Sequence, residues 1–171
     1  LPGPAPSLVE WATYSLVWMA AGTALLGAFA RWRREILFQL GTTFASVAAA
    51  SMVVANLLAA DPLWSPQDVG SWPLLNWLLY AYGLPALLLW GLGRLFGSLG
   101  ERSEALARAS RGLSLLFLFA FFSLEVRQVF HPGALHAGGF SLVEVATYGH
   151  VWLLLAAGLA LAWRRWKVPM D

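Results

Sequence analysis

SLVEWATYSLVW at residues 7–18 returns as SLVEVATYGHVW at residues 141–152, with nine of the twelve positions identical. The register continues without a gap to Arg31-Trp32-Arg33 opposite Arg165-Trp166-Lys167, an offset of 134 residues. Solenoid and propeller units repeat every ~20–50 residues, so a period this long must contain several elements. Both copies open an apolar run long enough to cross a bilayer. The chain therefore reads as one whole repeat plus the first helix of the next.

Composition places the chain in lipid. Hydrophobic residues make up 59% and charged residues 12% of the 171, whereas a soluble domain carries roughly 25% charged residues. There is no Cys, which excludes disulfide and thiolate chemistry. Leu1 rather than Met begins the sequence, and no basic segment precedes a short apolar one as in a signal peptide. The expected context is a longer polytopic protein or a processed form of one.

A membrane-spanning helix needs about 20 apolar residues. Charge-free stretches of 20, 25 and 25 residues lie between Glu10 and Arg31, Glu35 and Asp61, and Asp68 and Arg94. Val145–Trp163 adds a run of 19. Between them Gly112–Leu124 is clean, and Glu125 and Arg127 interrupt the stretch before Phe130. No alternating pattern suggests a barrel. The expected fold is all-α: an integral membrane bundle of five transmembrane helices, built from a four-span parallel repeat plus the first helix of the next copy. Residues 1–6 form an extended Pro-rich lead-in, 7–140 the four-span repeat and 141–171 the first span of the second copy.

Ten of the eleven basic residues follow spans one, three and five: Arg31, Arg33, Arg34; Arg94, Arg102, Arg108, Arg111; Arg164, Arg165, Lys167. The positive-inside rule then puts the N-terminus outside and the C-terminus in the cytoplasm. An even number of spans per repeat gives the same orientation to both copies. Ser7-x-x-Glu10 and Ser141-x-x-Glu144 both read as capping boxes. Ser65-Pro66-Gln67-Asp68 predicts a short surface helix, residues 100–111 an amphipathic turn, and Pro85 a kink in span three.

The candidate site is a gathering of polar groups toward the outer face: Glu10, Tyr14, Asp61, Glu125, Arg127, His131, Glu144 and Tyr148, with Asp68 and His136 nearby. Polar groups at membrane depth are costly and often functional. Arg127 is the single basic side chain on that side and predicts a carboxylate partner in Glu10, Glu144 or Asp61. Glu125 and Arg127 lie about 200° apart on a helix and address different neighbours, whereas Arg127 and His131 share a face. The competing reading is interfacial structure, with Glu10 and Glu144 occupied as caps. Asn56, Asn76 and Tyr80 are candidate intramembrane polar groups, whose ordinary role is interhelical hydrogen bonding. Gly93-x-x-x-Gly97 reads as close helix packing. His131 and His136 straddle a Pro-Gly loop and His150 stands alone in span five. No metal, haem or other cofactor is therefore expected.

Four phrases stand together: E-x-x-T-Y-S-L-V-W at 10–18, PLLNWLLYAYGLPA at 73–86, SLEVRQVFH at 123–131 and EVATY at 144–148. With them the chain resembles, over most of its length, the bacterial predicted membrane proteins grouped as domain of unknown function 2339. The resemblance implies a fragment of a long polytopic inner-membrane protein and carries no catalytic residue. Asn76, Tyr80, Tyr82, Pro85, Glu125, Arg127 and His131 fall within the shared phrases.

The leading expectation is a structural or scaffolding module in the bacterial plasma membrane. Its partners would be the lipid bilayer and further transmembrane helices of a longer parent chain or oligomer. The alternative is a transporter-like or ligand-binding bundle using the outer Glu/Arg/His cluster. An enzyme ranks last, because no nucleophile has an adjacent base. Nucleic acid is not expected, because the basic clusters are short.

Overall fold

The computed structural model describes residues 7–70 and 72–167. Five helices are long and apolar enough to cross a membrane, and none of the described residues is in a strand. In chain order they are α1 (Leu8–Trp32), α2 (Glu35–Met52), α3 (Leu84–Ser98), α4 (Glu104–Phe130) and α5 (Leu142–Lys167). A π-helical stretch, Val53–Ala59, prolongs α2, and another, Leu79–Gly83, leads into α3.

Two antiparallel hairpins form the core. Ser7 begins α1 with a complete capping box, its Oγ accepting from the Glu10 N–H while Glu10 accepts from the Ser7 N–H at 2.7 Å. Arg33 ends α1 in the left-handed region, φ 54°, and its N–H bonds the Phe29 carbonyl. With only Arg33 and Arg34 between the helices, α2 must fold straight back on α1. The helices meet at two glycines: a Cβ on Gly22 would lie 2.7 Å from the Ala45 nitrogen, and one on Gly41 3.0 Å from that of Leu26. On either side of this crossing Met19, Leu26, Ala48 and Met52 are fully buried. In the second hairpin the Ser114 hydroxyl donates to the Ala86 carbonyl at 2.7 Å, and Ser103 to that of Phe96 at 2.8 Å. Tyr82, Leu89, Phe117 and Leu124 fill the space between the hairpins.

α5 stands apart, packed chiefly on α4. The Trp152 indole donates to the Ser123 hydroxyl at 3.1 Å and stacks on Phe119, with ring centroids 5.2 Å apart. The turns around residues 33–35 and 99–103 mark an Arg-rich end, where Arg102 pairs with Glu35 at 3.1 Å and lies over the Phe38 ring. The segments 60–78 and 131–141 mark the opposite, loop end.

Several local expectations give way. Ser65–Asp68 is a bend followed by irregular chain rather than a helix, because its side chains are spent elsewhere. Ser65 Oγ donates to the Asp61 carbonyl, Gln67 accepts from the Leu8 N–H, and Asp68 accepts from the Gly70 N–H. Residues 101–103 are one 3₁₀ turn that runs directly into α4, so 100–111 is the foot of span four and no separate element. Pro85 sits in the first turn of α3, and the irregularity it causes is the π-helical stretch just upstream. The second capping box is half formed: Ser141 Oγ accepts from the Glu144 N–H at 3.1 Å, but the Glu144 carboxylate is turned elsewhere. Gly93-x-x-x-Gly97 is only partly a packing motif. At Gly93 the nearest neighbours include the Ala107 carbonyl, but Gly97 faces a single group, the Arg111 guanidinium.

Candidate functional site

The polar residues of the loop end fall into three separate networks. α4 carries the two largest. Its last turns place Glu125 and Gln128 toward one side and Arg127 toward another, and all three are buried.

Arg127 faces the connection to α5. Its Nη1 bonds Glu144 Oε1 at 2.8 Å, and Glu144 Oε2 lies 3.1 Å from His131 Nε2. Four backbone carbonyls complete the shell: Leu135 on Nε at 2.9 Å, Gly139 on Nη1 at 3.5 Å, Ala137 and Gly138 on Nη2 at 2.9 and 3.0 Å. A guanidinium has five N–H donors, and each has an acceptor here. The Phe140 ring covers one face of the guanidinium, 4.6 Å from Cζ to the ring centroid. Arg127 is 3% and Glu144 0% exposed. Gly138 makes the approach possible, since its φ is +83° and a Cβ there would lie 2.8 Å from the His131 ring. The segment 135–139 is thus wrapped round one cation.

Glu125 faces the other way, as the 200° separation requires. Its oxygens accept from the Leu74 N–H at 2.9 Å and the Asn76 side-chain amide at 2.8 Å. Asn76 Oδ1 in turn accepts from the N–H groups of Leu78 and Leu79, capping the helix that becomes span three. Leu74 holds a left-handed φ of 64°, a conformation that costs a non-glycine residue about 1–2 kcal/mol. Gln128, one turn on, donates to the Gly70 carbonyl at 2.6 Å.

The third network joins spans two and three. Pro85 has no N–H, so the Ala81 carbonyl loses its α-helical partner. The Asn56 amide donates to that carbonyl at 2.8 Å. The Tyr82 hydroxyl donates to the Asn56 carbonyl at 2.6 Å and lies 3.1 Å from Asp61 Oδ2, while Asp61 Oδ1 accepts from the Leu63 N–H. Burial pushes the Asp61 carboxyl above the usual carboxylate range, against the opposing pull of the hydrogen bonds from Leu63 and Tyr82. Tyr82 has one proton and the Asn56 carbonyl is the nearer acceptor.

Most of the remaining candidates lie outside these networks. Glu10 serves the Ser7 cap, Tyr14 is 61% exposed, and Tyr80 pairs with Thr13 Oγ1 at 3.1 Å. Tyr148 joins the Arg127 network, its side chain hydrogen-bonded to Glu144 while its ring packs between those of Phe140 and Trp152. His136 is exposed, and the His150 ring bonds the Ala146 carbonyl of its own helix. Among the described residues no three His, Cys, Asp or Glu side chains gather as for a metal ion. Gln128 is a structural participant that the sequence does not single out, and Tyr82 stands out there only as part of a shared phrase. Gln128 could have been found from its i,i+3 relation to Glu125, which sends both toward the same loop.

The profile of the family described as "Predicted membrane protein (DUF2339)" matches residues 5–168. No curated protein and no solved structure matches the chain.

Proposed function

We propose a structural role for this chain, which belongs to the predicted membrane protein family DUF2339: a membrane-embedded scaffold module whose loop-end polar groups lock helix ends together. The observation that carries this reading is the saturation of Arg127. A site that binds a ligand keeps donors pointed at open space, whereas here all five N–H groups meet protein acceptors. Both Glu125 oxygens are likewise taken, by the Leu74 N–H and the Asn76 amide, and the Gln128 amide nitrogen is taken by the Gly70 carbonyl. This favours the scaffold over a ligand-binding bundle. The repeat supports it too. α1 buries Ala12, Leu16, Met19 and Leu26, and their counterparts 134 residues on, Ala146, His150, Leu153 and Ala160, are exposed on α5. That face suits a further transmembrane helix of the α2 type, from the same polypeptide or an oligomer. The bilayer would be the bacterial plasma membrane, with the loop end outside and the Arg-rich end in the cytoplasm.

The test is thermal unfolding of the purified protein in detergent. Arg127→Leu leaves the buried Glu144 carboxylate without its cationic partner and with the His131 contact alone among its ion pairs, and should cost about 3–5 kcal/mol. Removing the charge as well, in Arg127→Leu/Glu144→Leu, should recover part of that loss. Arg127→Lys should not rescue it, since three donors on a flexible stem cannot satisfy five acceptors. His136→Ala should be neutral. Single variants as stable as the parent would sink the scaffold reading.

A further inference from the structure

Arg111 is the counter-example to Arg127. It lies on α4 inside the fourth span, seven residues after Glu104, so its backbone is about 10 Å up the helix from that end. Its side chain does not stay at that depth. A Cβ on Gly93 would lie 2.8 Å from Arg111 Cγ, and a Cβ on Gly97, one turn nearer the Arg-rich end, 2.8 Å from Nη2. The stem therefore descends along α3 over two positions that carry no side chain. The guanidinium comes to rest beside Gly97, an exposed residue next to the last of α3. A long cationic side chain anchored in the apolar zone commonly reaches for the interface in this way.

Two features go beyond ordinary snorkelling. The glycine seat fixes the stem in advance, which removes much of the rotamer entropy that binding would otherwise cost. The head is also left open. Arg111 is half-buried, and among the described residues its one hydrogen bond is from Nη2 to the Gly93 carbonyl, a long 3.3 Å. No carboxylate among the described residues pairs with it; at this end Glu35 pairs with Arg102 and Glu104 with Arg108. Arg94, on the same stretch of α3, is exposed and adds to the positive field at this end.

We infer that Arg111, seated on Gly93 and Gly97, is a binding site for a phosphate group at the membrane surface. A planar guanidinium fork matches two phosphate oxygens and is weakly hydrated. A cluster of Arg at headgroup level attracts anionic phosphates. The phosphate is that of an anionic lipid headgroup or of a phosphorylated solute, and the two sources separate experimentally.

The full chain in neutral detergent is supplemented with phosphatidylglycerol, with phosphatidylcholine, or with inorganic phosphate, and its thermal midpoint is followed. Phosphatidylglycerol should raise the midpoint beyond phosphatidylcholine if the phosphate is lipid-borne. A rise with inorganic phosphate assigns the site to a free phosphate instead. Either rise should vanish in Arg111→Gln. Gly97→Ala keeps the charge and adds a helix-favouring residue but occupies the seat, and it should fold and bind less. It also covers the case in which Arg111→Gln does not fold. A rise of equal size in the parent and both variants, or no rise with either phosphate, overturns the inference.

Discussion

A guanidinium offers five N–H groups in one plane, and what surrounds them decides whether the residue holds the protein or a ligand. Arg127 is sealed, with every donor used, and Arg111 is seated with most donors open. Both are Arg residues within the fourth span, and the difference lies in their neighbours. Asp61 allows a pH prediction at the same scale. Burial raises its folded pKa above the unfolded value of about 3.9. Between those two values the native state binds more protons than the unfolded chain, so the contribution of Asp61 to stability falls as pH rises. In thermal unfolding between pH 4 and pH 8, the parent should lose stability relative to Asp61→Asn as pH increases. A gap that is constant with pH, or one that moves the other way, would show that the charged form is accommodated.

At the scale of elements, the α1–α2 crossing depends on the missing side chains of Gly22 and Gly41. An added Cβ at Gly22 meets backbone, which cannot rotate away. Gly22→Ala should therefore cost about 1–3 kcal/mol, as overpacking does. Gly27 on the same helix has nothing within 4 Å, and Gly27→Ala should gain up to about 1 kcal/mol from helix propensity. Unfolding midpoints of the two variants check this, and equal effects would refute the crossing. Helices of this length were legible from charge-free runs, since lipid demands uninterrupted apolar spans. Span four was legible despite Glu125 and Arg127, although not that both charges would be sealed by loop backbone. Ser65–Asp68 forms no helix because Ser65 turns back to the Asp61 carbonyl, Asp68 caps Gly70, and Gln67 bonds the distant Leu8 N–H, a partner that no local pattern reveals. Pro85 marked the right place, but its effect surfaced as a freed Ala81 carbonyl that Asn56 claims from another helix. The partner of Arg127 was restricted by charge to three acids, and packing of 135–144 selected Glu144.

At the scale of the molecule, two hairpins form the core and a fifth helix hangs on α4 by the Arg127 clasp and the Trp152 contact. The chain has no Cys, so single introduced cysteines report orientation. Positions 67 and 136 should react with a membrane-impermeant maleimide on intact cells, and position 102 only after permeabilisation. The reverse pattern would invert the proposed topology. The central claim is that the Arg127 cluster is a closed clasp and not a binding site. The most direct measurement is an experimental density map of the protein in a lipid nanodisc, read around Arg127, His131 and Glu144. The account predicts a guanidinium in contact with Glu144 and with the carbonyls of residues 135–139, with only protein density between them. Ordered non-protein density separating Arg127 from Glu144 would contradict it.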